Sequence, residues 1–227
     1  MAVDVARSKA LHSGRYVERF ERRPIDRVAA LVRRMRVDAN DVVADFACGN
    51  GMLLRALGDV RGTYHGVDFS EDFIASARAA ALRLGLSNYC FHCSDIVAFC
   101  ADHPAEFDVA ATLDFSEHID DSAFLEIYAA IRSSLRTGGR LYLHTPNSGF
   151  FMEALKAKGV LRQFPEHIAV RNAAATIALL EQAGFDRGRI RVEHIAHYNI
   201  LRIVHPLRRL PYLGKFFAAR IWIEASA

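Results

Sequence analysis

Acidic and imidazole side chains are grouped in the stretch from Asp114 to Asp120, DFSEHID, which directly follows an apolar run. If this stretch is locally helical, Asp114 lies about one turn from Glu117 and His118, and their side chains can converge. His167, in the later sequence Pro165-Glu166-His167, can complete the group. Such a set can transfer protons, and it can also coordinate Mg²⁺, Mn²⁺ or Zn²⁺. The pattern therefore indicates either acid–base or metal chemistry.

Three of the ten histidines stand out by position: His118 and His144 follow predicted strands, and His167 lies in an irregular segment. Ligands of open α/β sheets bind at the carboxyl ends of the strands. We therefore consider His118 and His167 the candidate catalytic bases. The structural alternative is that Glu117 and His118 only cap the following helix and shape a pocket.

A strand, a turn and a helix are predicted around the sequence DVVADFACGNG, residues 41–51. Consecutive apolar residues surround the single acid Asp45, as in a buried parallel strand. Gly49 and Gly51 permit backbone angles closed to other residues and let a ligand approach the backbone. The next helix begins with unpaired N–H groups facing that ligand.

Two further acids end the next two predicted strands. Asp68 closes the run from Gly62 to Phe69 and lies roughly 20 residues beyond the glycine turn, the offset at which an acid meets ribose hydroxyls. Asp95 follows the strand Tyr89 to Cys93 and precedes a helix, so it can also act as an N-cap. Three acids are thus predicted along one edge of the sheet.

The motif pair Asp45-x-Ala47-Cys48-Gly49-Asn50-Gly51 and Gly66-Val67-Asp68-Phe69-Ser70 resembles class I S-adenosylmethionine (SAM) dependent methyltransferases. The resemblance covers about residues 41–185. It implies an α/β, Rossmann-like, seven-stranded and mostly parallel sheet with helices on both faces and the last strand antiparallel. It implies a SAM site made by the following residues: Asp45, Ala47, Gly49 and Gly51 for the methionine end, Asp68 for the ribose, Asp95, Phe69 and Ile96 for the adenine, with Leu113 and the lid residue Tyr16 nearby.

The loop Asp114 to His118, with a later histidine, resembles both ubiquinone-pathway O-methyltransferases and small-RNA terminal 2′-O-methyltransferases. By that resemblance a metal would be bound by Asp114, Glu117, His118 and His167. Asp114 replaces the usual Glu and shortens the reach, and aromatic and basic residues around the last histidine are sparse, which counts against RNA. We expect SAM as cofactor, and a divalent metal remains an alternative rather than the expectation.

Composition is that of an ordinary globular protein, with 227 residues and 52% hydrophobic content. The single methyltransferase domain is predicted to span 1–227, with a helical lid at 1–37 and a substrate-covering insertion at 148–171. A net charge of +3 is too small to favour a nucleic-acid partner. No apolar stretch approaches ~20 residues, so we expect a cytoplasmic protein with reduced thiols. The sequence carries no signal for oligomeric state.

Basic and aromatic residues alternate in the segment His197 to Phe217. Such a segment can contact a membrane surface or a lipidic substrate, and an excursion packed on the sheet explains it equally well. We predict methyl transfer from SAM to a small-molecule acceptor, most readily at a hydroxyl oxygen. N- or C-methylation and a non-catalytic SAM-binding scaffold are the alternatives, whereas Leu54 at the third glycine position disfavours a dinucleotide enzyme.

Overall fold

A seven-stranded sheet forms the centre of the computed structural model, which describes residues 25–58, 62–162, 164 and 167–227. The strands occur in the spatial order β3-β2-β1-β4-β5-β7-β6. Strand β7 runs antiparallel to β5 and β6, between which it lies, and all other strand pairs are parallel. An antiparallel last strand is what the sequence predicted. The strands are β1 (Val43–Phe46), β2 (Tyr64–Asp68), β3 (Tyr89–Cys93), β4 (Phe107–Leu113), β5 (Leu135–Pro146), β6 (Ile190–Ile195) and β7 (Arg220–Ser226).

The helices cover both faces of this sheet. Apolar residues of α1, α2 and α3 form one core with one face, and those of α4, α5 and α7 form a second core with the other. The predicted fold class is therefore confirmed. The helices are α1 (Asp26–Val32), α2 (Met52–Leu57), α3 (Glu71–Arg83), α4 (Ile96–Asp102), α5 (Asp121–Ser134), α6 (Phe151–Ala157) and α7 (Ala173–Gln182).

Polar side chains fix where several helices begin. Ser70, Asp95, Asp120 and Asn172 precede α3, α4, α5 and α7, and each side chain accepts a hydrogen bond from a backbone N–H of the first turn. These caps satisfy donors that have no partner within the helix. They also place the start of each helix beside the carboxyl edge of the sheet.

The boundary between α5 and β5 differs from the prediction. The amphipathic pattern from Asp121 to Arg136, followed by Gly138-Gly139, predicts a helix that stops at the glycines. The helix ends instead at Ser134, and both glycines lie within β5. Leu135 already pairs with Phe107 of β4, with a register shift before the regular ladder. Sheet pairing therefore overrides the local helical pattern.

Short helices occur in the insertion and in the basic segment. Helix α6 lies within the insertion, which was predicted to be irregular, and the basic segment, predicted as a hairpin-like or helical excursion, forms two 3₁₀ helices, Ile200–Arg209 and Gly214–Phe217. Among the described residues, no helix has both the length and the apolarity needed to cross a membrane. None of the four cysteines, all of them among the described residues, forms a disulfide bond, and Cys90 and Cys93 are exposed.

Candidate functional site

The turn after β1 has left-handed backbone angles at three of five residues. The φ angles are 56° at Ala47, 53° at Gly49 and 71° at Gly51. A Cβ at Gly51 would lie 3.0 Å from the ring of Phe91, so the position requires glycine for its conformation and for space. Ala47 pays a steric cost for its angle, as residues at ligand sites often do.

Asp68 connects this turn to the end of β2. Its Oδ2 accepts a hydrogen bond from the backbone N–H of Gly49 (3.0 Å), and its Oδ1 accepts one from Ser70 (2.9 Å). The side chain is only 6% exposed. The half-buried Phe69 follows directly. The carboxylate is thus held in one orientation at the edge where the sequence predicted a ribose.

Asp45 lies beneath the same turn and is 3% exposed. The hydroxyl of Tyr64 donates a hydrogen bond to its Oδ2 at 2.6 Å. Burial raises the pKa of Asp45 to about 7, the hydrogen bond from Tyr64 opposes this, and the charge of Asp68 adds to it. Asp45 can therefore change its charge near neutral pH.

The predicted adenine residues lie at the end of β3. Asp95 is exposed and caps α4, and both cap hydrogen bonds, from Val97 and Ala98, end on Oδ1. Ile96 beside it is buried. Leu113 is half-buried at the end of β4. The cap anticipated from the sequence is present, and it leaves Oδ2 directed away from the helix backbone.

Asp114 lies in an ion-pair network rather than among the expected metal ligands. Arg27 Nη2 lies 2.5 Å from Oδ2, and Arg220 Nη1 lies 2.5 Å from Oδ1. His144 Nδ1 is 3.0 Å from Oδ1. These groups hold the pKa of the Asp114 carboxyl well below its usual range against the opposing effect of burial. The carboxylate is therefore already neutralised by protein cations.

His144 extends this network to Tyr198. Its Nε2 lies 2.9 Å from the hydroxyl of Tyr198. Burial lowers the pKa of His144, opposed by Asp114, which favours a neutral ring. The guanidinium groups of Arg27 and Arg220 each lie 5.5 Å from the centre of the Tyr198 ring. His144, the third histidine singled out by its position in the sequence, thus lies between Asp114 and Tyr198 within the network.

Glu117, His118 and His167 do come together. One donor atom of each lies within 4.8 Å of those of the other two, and the two imidazole rings are 5.2 Å apart and nearly perpendicular. Burial and the charge of Asp114 together raise the pKa of Glu117 to about 8. Burial and the nearby His118 lower the pKa of His167 to about 4. The donor set suits a divalent cation, and His167 is neutral at pH 7.

The loop that carries Glu117 is fixed by contacts from the segment after His167. The backbone oxygen of Glu117 accepts hydrogen bonds from Ile168 (3.0 Å) and Ala169 (3.1 Å). Arg171 donates to the backbone oxygens of Ser116 (2.7 Å) and Ile119 (2.9 Å). The loop and the later segment therefore form one unit.

Sequence reasoning missed Arg27, Arg171, Tyr198 and Arg220. Arg27, Arg171 and Arg220 contact the loop, and Tyr198 contacts His144 of β5. Each of these partners is at least 52 residues away in the sequence, so no local spacing could indicate the contact. Tyr16 lies outside the described residues. The predicted lid is described only from residue 25 onward, where α1 contributes Arg27 to the network.

Comparison with known proteins gives a consistent result. A family model described as "Methyltransferase domain" matches residues 37–197. The ubiquinone biosynthesis O-methyltransferase of Thiobacillus denitrificans is 29% identical over 130 residues, 56% of this chain and 55% of that protein. The enzyme of the same name from Sodalis glossinidius is 29% identical over 178 residues, 76% of this chain and 67% of that protein. The chain thus spans little more than half of the first relative.

Among solved structures, a SAM dependent methyltransferase from Archaeoglobus fulgidus superposes with a TM-score of 0.67 at 18% identity. The match covers 91% of this chain and 96% of that chain. At this identity the likeness concerns the fold, and it extends over nearly the whole sheet and its helices.

Proposed function

Because the chain belongs to the methyltransferase domain family, we propose that it binds SAM at the carboxyl edge of the sheet and transfers its methyl group to a hydroxyl oxygen of a small molecule. The observation that carries this proposal is the link between Asp68 and the backbone of Gly49. This hydrogen bond joins the turn after β1 to the turn after β2, so that the two turns form one preorganised binding site. A carboxylate held there can accept hydrogen bonds from both ribose hydroxyls.

The other cofactor contacts follow from this orientation. Asp45 and the turn of Ala47, Gly49 and Gly51 bind the methionine end. The adenine lies by Phe69 and Ile96, with its amino group toward Oδ2 of Asp95, while Leu113 contacts the cofactor from β4. The transferred methyl group then faces the loop of Glu117 and His118.

Methyl transfer is an in-line displacement in which the acceptor oxygen forms a bond to the methyl carbon while the bond from carbon to sulfur breaks. The acceptor hydroxyl must lose its proton, and His118 or His167 accepts it on an unprotonated ring nitrogen. Precise placement of acceptor and methyl supplies much of the acceleration. The insertion 148–171 covers the acceptor, since its end is bonded to the loop through Glu117.

The residues present also fit a divalent cation, which Glu117, His118 and His167 would hold. A bound cation would lower the pKa of a coordinated acceptor hydroxyl. We leave Asp114 out of this set because its carboxylate is paired with Arg27 and Arg220. A metal-free base mechanism remains our expectation, and chelation distinguishes the two.

The relatives named for ubiquinone biosynthesis make a hydroxylated, lipid-tailed aromatic compound the first acceptor to test. The basic segment supports a lipidic substrate. Its Ile200, Ile203 and Tyr212 side chains are 72%, 66% and 94% exposed, beside the cations Arg208 and Arg209. Such a surface suits peripheral contact with an anionic membrane.

The test of function is transfer of labelled methyl from SAM to hydroxylated aromatic compounds. We expect His118→Gln and His167→Gln to retain SAM binding and to lose most of the turnover, while His194→Gln, at a half-buried histidine of β6, keeps both. Turnover that needs added Mg²⁺ or Mn²⁺ after chelation would favour the metal mechanism. SAM binding without transfer to any acceptor would favour the scaffold alternative, and absence of SAM binding would refute the proposal.

The membrane contact is tested by sedimentation with phosphatidylglycerol vesicles. We expect reduced binding for the double variant Arg208→Glu with Arg209→Glu and unchanged binding for Arg187→Glu, which lies outside the segment. Equal binding of both variants would contradict the contact. A cytoplasmic location stays a prediction from the sequence.

A further inference from the structure

A second cluster of potential metal ligands lies at the opposite edge of the sheet from the SAM site. His65 is the second residue of β2, His103 follows α4, and Glu106 precedes β4. One donor atom of each lies within 4.8 Å of the others, and all three side chains are half-buried. Because α4 runs back from the carboxyl edge, these residues meet where the parallel strands begin.

We propose that His65, His103 and Glu106 bind one divalent transition-metal ion, with zinc as the best fit. Two imidazoles and one carboxylate form a common set of three protein ligands for zinc, and water can fill the fourth position. Tetrahedral zinc separates its ligand atoms by about 3.3 Å. The ion would therefore draw these side chains together by up to about 1.5 Å, which requires only rotation of half-buried side chains.

The hydrogen bond of His103 supports this assignment. Its Nδ1 lies 2.8 Å from the backbone oxygen of Phe99, so Nδ1 carries the proton and Nε2 remains an acceptor. Histidines that bind metals characteristically donate their other ring N–H to such an oxygen. The backbone of α4 thus prepares the ring of His103 as a ligand.

Buried ring nitrogens without hydrogen-bond partners, in and beside the cluster, also support a bound metal ion. Nδ1 of His65 and Nε2 of the neighbouring His92 are buried without a hydrogen-bond partner. Buried polar atoms without partners are rare and costly. The rings of His65 and His92 are stacked, with centroids 5.3 Å apart and planes 3° apart. Aromatic packing explains this stacking, but it gives the buried nitrogens no partner.

The position of the cluster indicates a structural role. The three ligands come from β2, from the connection after α4 and from the residue before β4, so an ion would join three parts of the chain. Ligand binding that is restricted to the folded state raises stability. Because the cluster lies at the other edge of the sheet, it takes no part in binding SAM.

The test is calorimetric titration of Zn²⁺ into the chelator-treated full chain, followed by thermal unfolding with and without Zn²⁺. The background variant His118→Gln with His167→Gln removes the other candidate metal group. In that background we expect one Zn²⁺ per chain and a higher unfolding temperature with Zn²⁺. Glu106→Gln and His103→Gln should each weaken Zn²⁺ binding by at least ~10-fold, since even changes to groups behind the ligands cost that much.

The matched control is His205→Gln, a half-buried histidine outside both clusters, which should bind Zn²⁺ as the background does. Glu106→Gln keeps the shape of the side chain and should fold as the background does. A loss of Zn²⁺ binding in this variant therefore cannot be attributed to the folding defect that His103→Gln could cause. Absence of Zn²⁺ binding in the background, or equal binding by Glu106→Gln and His205→Gln, would overturn the proposal. Because SAM binding is measured separately, failure here leaves the proposed methyl transfer intact.

Discussion

Ionisation of Asp45 should make SAM affinity depend on pH. In the proposed complex this carboxylate faces the ammonium of the methionine end, so only its charged form favours binding. In the free protein burial raises its pKa to about 7. Below pH 7 most Asp45 carboxyl groups are protonated and must lose this proton when SAM binds. The apparent affinity for SAM therefore falls by up to tenfold for each unit by which the pH is lowered.

The expected fall in SAM affinity follows from the fraction of Asp45 carboxyl groups that is ionised at each pH. With a pKa of about 7, about half of the carboxyl groups are charged at pH 7 and about 3% at pH 5.5. SAM affinity should fall about 16-fold between these values, equivalent to about 1.6 kcal/mol. Binding should release about 0.5 proton at pH 7 and about 0.9 at pH 6.

Calorimetric titrations of SAM from pH 5.5 to 7, in buffers of different ionisation enthalpy, measure both quantities. Asp45→Asn should bind more weakly and lose the pH dependence. Tyr64→Phe removes the hydrogen bond that favours the charged form, so its midpoint should shift to higher pH. A wild-type affinity that is flat across this range, or an equal slope in Asp45→Asn, would refute the reasoning.

Three further predictions concern the same edge of the sheet. The folded pKa of Asp45, about 7 against an ordinary 3.8, means that the unfolded chain ionises first as pH rises. The free energy of unfolding should therefore fall by up to about 4 kcal/mol between about pH 4 and 7, and urea unfolding of Asp45→Asn should lack this fall. Asp68→Asn should weaken SAM binding by at least ~10-fold in calorimetry, because the variant loses the charged acceptor for the ribose hydroxyls. The control Asp102→Asn should bind SAM as the wild type does, and equal affinities of the two variants would contradict the role of Asp68. Arg220→Met should lower the free energy of unfolding, measured in urea, by about 3 kcal/mol, since Asp114 loses one buried partner and keeps Arg27. If the loss is as small as that of Arg187→Met, a change at an exposed arginine, the ion pair of Arg220 with Asp114 contributes little to stability.

The strand ends and the glycine turn could be predicted because their signals are local. Apolar runs that end in Asp45, Gly49 and Asp68 report a buried strand and its turn within a few residues of sequence. The same holds for the cap at Asp95, where a polar side chain precedes a helix whose backbone N–H groups it can accept from. These features need no knowledge of the rest of the chain.

The predicted convergence of Asp114 with Glu117 and His118 was wrong because the argument assumed a helical loop. Asp114 has a φ of 56°, outside the helical region, and the 3₁₀ helix begins only at Ser116. Asp114 is therefore not one turn before Glu117, and its side chain turns toward Arg220 instead. The partner lies 106 residues away, and ion pairs over such distances leave no periodic signal in the sequence.

The carboxyl groups of Asp114 and Glu117 in this loop are consequently driven to opposite protonation states. Asp114 stays ionised because protein cations surround it, whereas burial and the charge of Asp114 raise the pKa of Glu117 to about 8. The hydroxyl of Thr145 donates to Oε2 of Glu117, so a protonated Glu117 can donate from its other oxygen. Separated pKa values of this kind distinguish groups with different roles. We therefore propose that Asp114 positions the loop and that Glu117 takes part in the chemistry beside His118. Glu117 would be a neutral hydrogen-bond donor to the acceptor when no cation is bound, and a ligand that releases its proton when one is.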